Sequence, residues 1–210
     1  MTEPESDPTA GSAEPSGTGF LHPPVVTDEV QALYDEDVAD EGYVMNLTHL
    51  WAHDPEALAA LSGLIARTVE EGGLTFRQRG VLVSATAAAL GDSYCAFAWG
   101  RRLAKAAGAE VAAAVLEGRD EGLAADEQAL AAWARAVVGD PNRTTVEDVD
   151  ELRDVGFDDG QIFAITTFIA LRLAFATVNA ALGAQPDAVL AAAAPPEVHA
   201  AVTFGRPAVD

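Results

Sequence analysis

Side chains able to do chemistry crowd into one short stretch: Asp92, Tyr94, Cys95 and Trp99 fall within eight residues, and Arg102 follows. In a helix, Asp92, Cys95, Trp99 and Arg102 share one face at i, i+3, i+7 and i+10. Cys95 then lies about three residues into the helix, with Asp92 as its N-cap. The positive end of a helix lowers a thiol pKa and favours the thiolate, and the anionic Asp92 opposes that shift. This pattern suits a one-cysteine site that forms a sulfenate or adds to an electrophile, with Trp99 stacked over the ligand. Asp92 can also act as acid or base, and Tyr94 can donate a hydrogen bond to a substrate. The other reading is a buried, inert cysteine packed on Trp99 beside a packing tyrosine, since free cysteines are commonly buried and unreactive.

Arg172 is the other informative polar residue, because it interrupts the apolar run Ile162 to Leu182. A guanidinium there anchors a substrate carboxylate, or it forms a buried pair with Asp or Glu, within the subunit or across an interface. Asn179, two turns on, can lie on the same face. His49 and His53 are four apart and can share a helix face, but no third ligand is evident and no metal is expected. No cofactor motif is present either: there is no GxGxxG and no phosphate loop.

The elements that must position these residues are helices. The chain of 210 residues is 50% hydrophobic, Ala-rich and only 7% aromatic, which favours closely packed helices over sheets. Thr27, Asp54, Thr75, Asp92, Thr144 or Thr145, and Asp158 stand where helix N-caps are expected. Residues 1–19 read as a disordered acidic tail, and 20–73 as an N-terminal helical arm that opens on the Pro-broken, extended stretch Phe20 to Val26. A core spans 74–187, and a weakly structured Ala- and Pro-rich segment closes the chain at 188–210. The run from Asp158 to Gly183 reads as a central core helix rather than a membrane span, because Arg172 at mid-bilayer is costly.

With 33 acidic against 12 basic residues the net charge is −21, which repels phosphate backbones and anionic lipid. No nucleic-acid or membrane partner is therefore expected. The N-terminus lacks the basic and apolar regions of a signal peptide. The lone cysteine fits a reducing compartment, so a cytoplasmic protein is the expectation.

The stretch Leu74 to Gly108, LTFRQRGVLVSATAAALGDSYCAFAWGRRLAKAAG, resembles the signature helix pair of the alkylhydroperoxidase-D-like (AhpD-like) and carboxymuconolactone decarboxylase superfamily. There an Arg-x-Arg-Glu opening leads to an apolar helix and then Cys-x-Tyr/His-Cys-x-x-x-His. The downstream segment LRDVGFDDGQIFAITTFIALRLAFATVNAALGAQPD is similar to the same superfamily's long apolar helix running into Leu-Gly. Together these cover roughly Leu74 to Asp187. The resemblance implies an all-α, AhpD-like helical bundle that associates as a homo-oligomer, and a proton relay around a redox dithiol. Here the relay is depleted: the glutamate position is Gly80, the first cysteine is Asp92, and the terminal histidine is Trp99, which cannot act as a base. A dithiol cycle needs a second, resolving cysteine, and this chain has one cysteine.

The expectation is a peroxidase-related oxidoreductase that acts on a small-molecule substrate through Cys95 alone, with an external thiol as reductant. One alternative is a cofactor-free decarboxylase or isomerase on a small organic acid, using Asp92 or Tyr94 and an arginine in a pocket lined by Cys95, Trp99 and Arg172. Another is a non-catalytic member of the fold. A carboxylate from the arm, Glu36 or Glu41, would compensate for Gly80 if it reached the thiol.

Overall fold

A computed structural model describes residues 18–209, so nearly all of the stretch read as a tail lies outside the described residues. Among those described, the chain forms eleven α-helices and no strand. The arm carries α1 (Asp28–Glu41), α2 (Asn46–Trp51) and α3 (Pro55–Glu71). The body follows as α4 (Phe76–Leu90), α5 (Ser93–Ala107), α6 (Ala109–Leu116), α7 (Ala125–Gly139), α8 (Val146–Asp154) and α9 (Asp159–Ala181). Two short helices close the chain, α10 (Ala188–Ala192) and α11 (Pro196–Ala201).

The starts of these helices follow from local chemistry. Thr75 accepts the backbone N–H of Gln78 at 3.2 Å, and the Gln78 side chain accepts the Thr75 N–H at 2.9 Å. Asp158 and Gln161 repeat this reciprocal box at 2.8 and 3.0 Å. Each box satisfies two backbone donors that a helix start otherwise leaves orphaned. Asp54 caps α3 through the Ala57 N–H at 3.0 Å, with Pro55 at the first helical position.

The centre of the bundle is α4, buried without interruption from Gly80 to Ala87. It is enclosed by α5, α6, α7 and α9, while α3 lies along α9. Gly80 sets the spacing of α4 and α5, because a Cβ there would sit 3.2 Å from Cδ1 of the fully buried Leu103. The glutamate of the resembling motif would require Leu103 to shift at this position.

The structure corrects two expectations. The apolar helix α9 is not the central one: Phe163 is 74% exposed, and Ala170, Ala174 and Ala181 also face outward. Alanines raise hydropathy without requiring burial, so composition alone overstates the coverage of this helix. By length and composition α9 could cross a membrane, yet it packs on α3 and α4 and directs Arg172 and Asn179 inward. The closing segment is packed rather than loose. Val198 of α11 is fully buried and occupies the gap at Gly100, where a Cβ would lie 2.8 Å from Val198 Cγ1.

Two carboxylates, Glu127 and Glu41, tie the layers together through ion pairs. The buried Glu127 of α7 accepts from Arg77 of α4 at 2.6 and 3.0 Å, and from the Ala124 N–H at 2.9 Å. Glu41, at the end of α1, accepts from both Arg101 and Arg102 of α5, which docks the arm on the body. Arg77→Ala leaves the Glu127 carboxylate buried with only the Ala124 N–H, and is expected to cost about 2 kcal/mol. Equilibrium urea unfolding checks this; a change within error of zero would show that water replaces the guanidinium.

Candidate functional site

Cys95 is held in place from its own helix start. It is the third residue of α5, and Asp92 caps that helix by accepting the Cys95 N–H at 3.2 Å. From the facing helix α9, Arg172 donates from Nη2 to Cys95 Sγ at 3.0 Å. Carboxylate, thiol and guanidinium therefore stand in series, and two of their polar atoms are buried without a partner: Asp92 Oδ2 and Arg172 Nε.

Burial dominates the electrostatics of the thiol. Removal from water pushes the Cys95 pKa up to about 12, Arg172 pulls against that shift, and Asp92 reinforces it. The expected lowering by the helix terminus is thus reversed, because a dipole worth a fraction of a kcal/mol to about one is outweighed by desolvation of a thiolate. At neutral pH the resting group is a thiol. Asp92 is also raised, by burial first, against the lowering influence of the thiol, the Cys95 N–H and Arg172. It is therefore a better proton acceptor than an ordinary surface carboxylate.

Arg172 also faces a cavity. A space of about 330 Å³ opens between α3, α4, α5 and α9, with Ile65, Arg79, Trp99, Phe168, Arg172 and Phe175 on its wall. Cys95 is behind this wall, reached through Arg172. Arg79 of α4 lies over the Trp99 ring at 4.7 Å, Arg102 lies over the same ring at 5.3 Å, and Arg172 is 5.1 Å from the Phe175 centroid. Burial lowers the Arg79 pKa, and repulsion from Arg102 and Arg172 lowers it further. The spacing rule picks out Cys95, Asp92 and Trp99 on one face but misses Arg79, although the Arg-x-Arg of the quoted motif carries it.

Tyr94 is placed elsewhere. Its hydroxyl donates to Asp187 Oδ2 and accepts the Leu47 N–H at 3.4 Å. Asp187 in turn accepts the Asn46 N–H at 2.9 Å. One residue of helix rotation, about 100°, turns Tyr94 away from the Cys95 face, so its hydroxyl pins α2 to the segment before α10. Asn179 serves the arm instead of Arg172: its Oδ1 accepts from Trp51 Nε1 at 2.8 Å, and Trp51 stacks on Phe175. Neither arm carboxylate reaches the thiol, since Glu41 is engaged by two arginines and Glu36 is exposed. His49 packs on the Tyr34 ring, while His53 Nε2 bonds the His22 carbonyl at 3.1 Å.

No protein-family model matches the chain, and no curated protein matches it. Solved structures do. A peroxidase-related protein described as an alkylhydroperoxidase AhpD core, from Ralstonia eutropha JMP134, superposes with a TM-score of 0.72 at 23% identity, covering 85% of this chain and 96% of that one. The chain has the AhpD-like fold. A peroxidase-related protein from Silicibacter sp. TM1040 gives 0.75 at 20% identity, again over 85% and 96% of the two chains. The debrominase Bmp8 gives 0.68 at 18% identity over 85% and 97%. At such identities the likeness carries the AhpD-like fold, and the chemistry rests on the site itself.

Two measurements check the electrostatics. Iodoacetamide alkylation of the folded protein should be slow at neutral pH and should still be rising at pH ~10, as expected of a thiol raised well above the free value of about 8.5. A plateau at or below neutrality would mean that Arg172 outweighs burial. Because the folded pKa of Asp92 is raised, its contribution to stability is fully present below the unfolded pKa and is lost as pH rises through the folded one. Asp92→Asn keeps a cap acceptor and removes the buried charge. Its melting temperature at neutral pH should therefore exceed that of the parent, with the difference vanishing in acid; a lower value at neutral pH would show that the carboxylate charge is stabilising.

Proposed function

We propose that this chain is a peroxidase-related oxidoreductase that works through Cys95 alone, reducing a hydroperoxide and returning to the thiol at the expense of an external thiol. One observation carries the reading: the Cys95 sulfur accepts from a guanidinium 3.0 Å away and interacts with the carboxylate that caps its helix through the Cys95 N–H. Two structures with the same fold are described as peroxidase-related proteins, which agrees with this choice of reaction class.

In the reaction, the sulfur attacks the terminal oxygen of R–O–O–H. The S–O bond forms as the O–O bond breaks, sulfur is oxidised to sulfenic acid and the peroxide is reduced to R–OH. The thiol proton passes to Asp92 and from there to the departing alkoxide. Arg172 stabilises negative charge first on sulfur and then on that oxygen. An external thiol condenses with the sulfenic acid, losing water to give a mixed disulfide, and a second thiol restores Cys95. Asp92 and Arg172 thereby stand in for the glutamate and histidine that the resembling motif would supply. A resting thiol with a raised pKa fits this scheme if proton removal and attack are coupled, so that no free thiolate need accumulate.

A second reading, a cofactor-free decarboxylase or isomerase on a small organic acid, draws support from Arg79 and Arg172 on the cavity wall. The two separate on the role of sulfur. Under the oxidoreductase reading, one equivalent of an organic hydroperoxide adds a single oxygen atom to Cys95, dimedone traps it, and Cys95→Ser abolishes peroxide turnover with a reducing thiol present. Intact mass spectrometry after peroxide that finds only unmodified Cys95 would sink the reading. Conversion of an organic acid that survives Cys95→Ser would replace it with the second.

A further inference from the structure

The cavity beside Cys95 presents a charge problem that the protein leaves unsolved. The chain carries almost three acidic residues for each basic one, so most of its arginines have a carboxylate partner. Arg67, Arg77, Arg101, Arg102, Arg119, Arg135 and Arg153 all have one. Among the described residues, four arginines make no ion pair; Arg143 and Arg206 are exposed to water, whereas Arg79 and Arg172 line the same cavity. Arg172 uses one nitrogen on sulfur and keeps Nε buried without a partner. Arg79 is directed over the rings of Trp99 and Phe76, at 4.7 and 5.9 Å, and accepts repulsion from Arg102 and Arg172. Asp92 acts on Arg172 only from beyond the sulfur, and two partly buried like charges with no carboxylate in contact are unfavourable unless something anionic completes the site.

The remainder of the wall specifies the body of that anion. Leu58, Ile65, Val69, Trp99, Phe168 and Phe175 are apolar, and 330 Å³ is at the small end for a ligand pocket. From this geometry we infer that the cavity is a binding site for a small organic monoanion, a carboxylate on a ring-sized apolar body, with the carboxylate between Arg79 and Arg172 and the ring among Trp99, Phe168 and Phe175. This deepens the oxidoreductase reading, on which it rests for the reaction, by naming its substrate class: hydroperoxides or other oxidants that carry a carboxylate. Binding itself requires only the two arginines and the apolar wall.

Isothermal titration calorimetry with benzoate, benzamide and inorganic phosphate tests the inference on the full chain. Benzoate should bind, and benzamide, of the same shape without the charge, should bind roughly tenfold to a hundredfold more weakly. Phosphate, an anion without the apolar body, should compete poorly. Arg79→Met should weaken benzoate by a similar factor, whereas Arg67→Met, which removes an exposed arginine on α3, should not change it. Circular dichroism of Arg79→Met confirms that helix content is kept; if that variant fails to fold, the benzoate-to-benzamide ratio on the parent protein decides. Equal affinity for benzoate and benzamide, phosphate binding as tightly as benzoate, or no binding of benzoate would each overturn the inference. Cys95→Ser separates this claim from the reaction. Benzoate binding without peroxide chemistry retires the oxidoreductase reading and keeps the site, while peroxide chemistry without discrimination between acid and amide does the reverse.

Discussion

The contact between Arg172 and Cys95 is the constraint on which the site depends. It joins α5 to α9 where the thiol is buried and the guanidinium already has one nitrogen, Nε, without a partner, so moving either helix leaves the thiol unsatisfied. It also fixes what each group can do. The guanidinium keeps its charge in almost any surroundings, so it is the fixed element and the thiol adapts to it. Burial holds the proton on sulfur, and Arg172 lowers the cost of releasing it. A carboxylate directly behind the sulfur supplies somewhere for that proton to go. Under the proposed function, this makes Cys95 a nucleophile that rests in its neutral form and is activated when proton transfer and attack occur together.

The surrounding helices are arranged around that contact. The uninterrupted burial of α4 provides the low-dielectric floor, and Gly80 allows α5 to approach it closely. The arm closes the remaining side: Glu41 pins α1 to α5, Trp51 reaches Asn179, and α3 forms the outer wall of the cavity. An acidic surface has a further consequence for such a cavity. Net negative charge repels anions at long range, so selection of an anionic ligand has to come from charges that are close and poorly screened, as those of Arg79 and Arg172 are.

Much of this was legible in the sequence because it is local. Thr75 with Gln78, Asp158 with Gln161, and Asp92 before Ser93 announce helix starts through backbone chemistry that does not depend on the rest of the fold. The common face of Asp92, Cys95 and Trp99 follows from helix geometry alone. What was not legible depends on distant partners. Nothing near Tyr94 announces that Asp187 will accept its hydroxyl proton, and nothing near Val198 announces the gap at Gly100. The sequence leaves Cys95 open between an activated and a buried thiol for the same reason: a helix terminus is visible in sequence, whereas the depth of burial that overrides it is set by distant elements. Arg172 showed only that a buried charge must be answered; that sulfur and a cavity answer it, rather than a carboxylate, appeared with the three-dimensional arrangement.

Since the chain has a single thiol, the S–H stretch of Cys95 is one infrared band free of overlap from other cysteines, and its disappearance reports the sulfur directly. The decisive measurement is the rate at which that band is lost at neutral pH after one equivalent of an organic hydroperoxide, in the parent protein, Arg172→Met and Asp92→Asn. The account predicts a visible band before peroxide, prompt loss in the parent, and loss slowed by roughly a hundredfold in both variants. A band absent before peroxide, one that persists in the parent, or loss in both variants as fast as in the parent would contradict it.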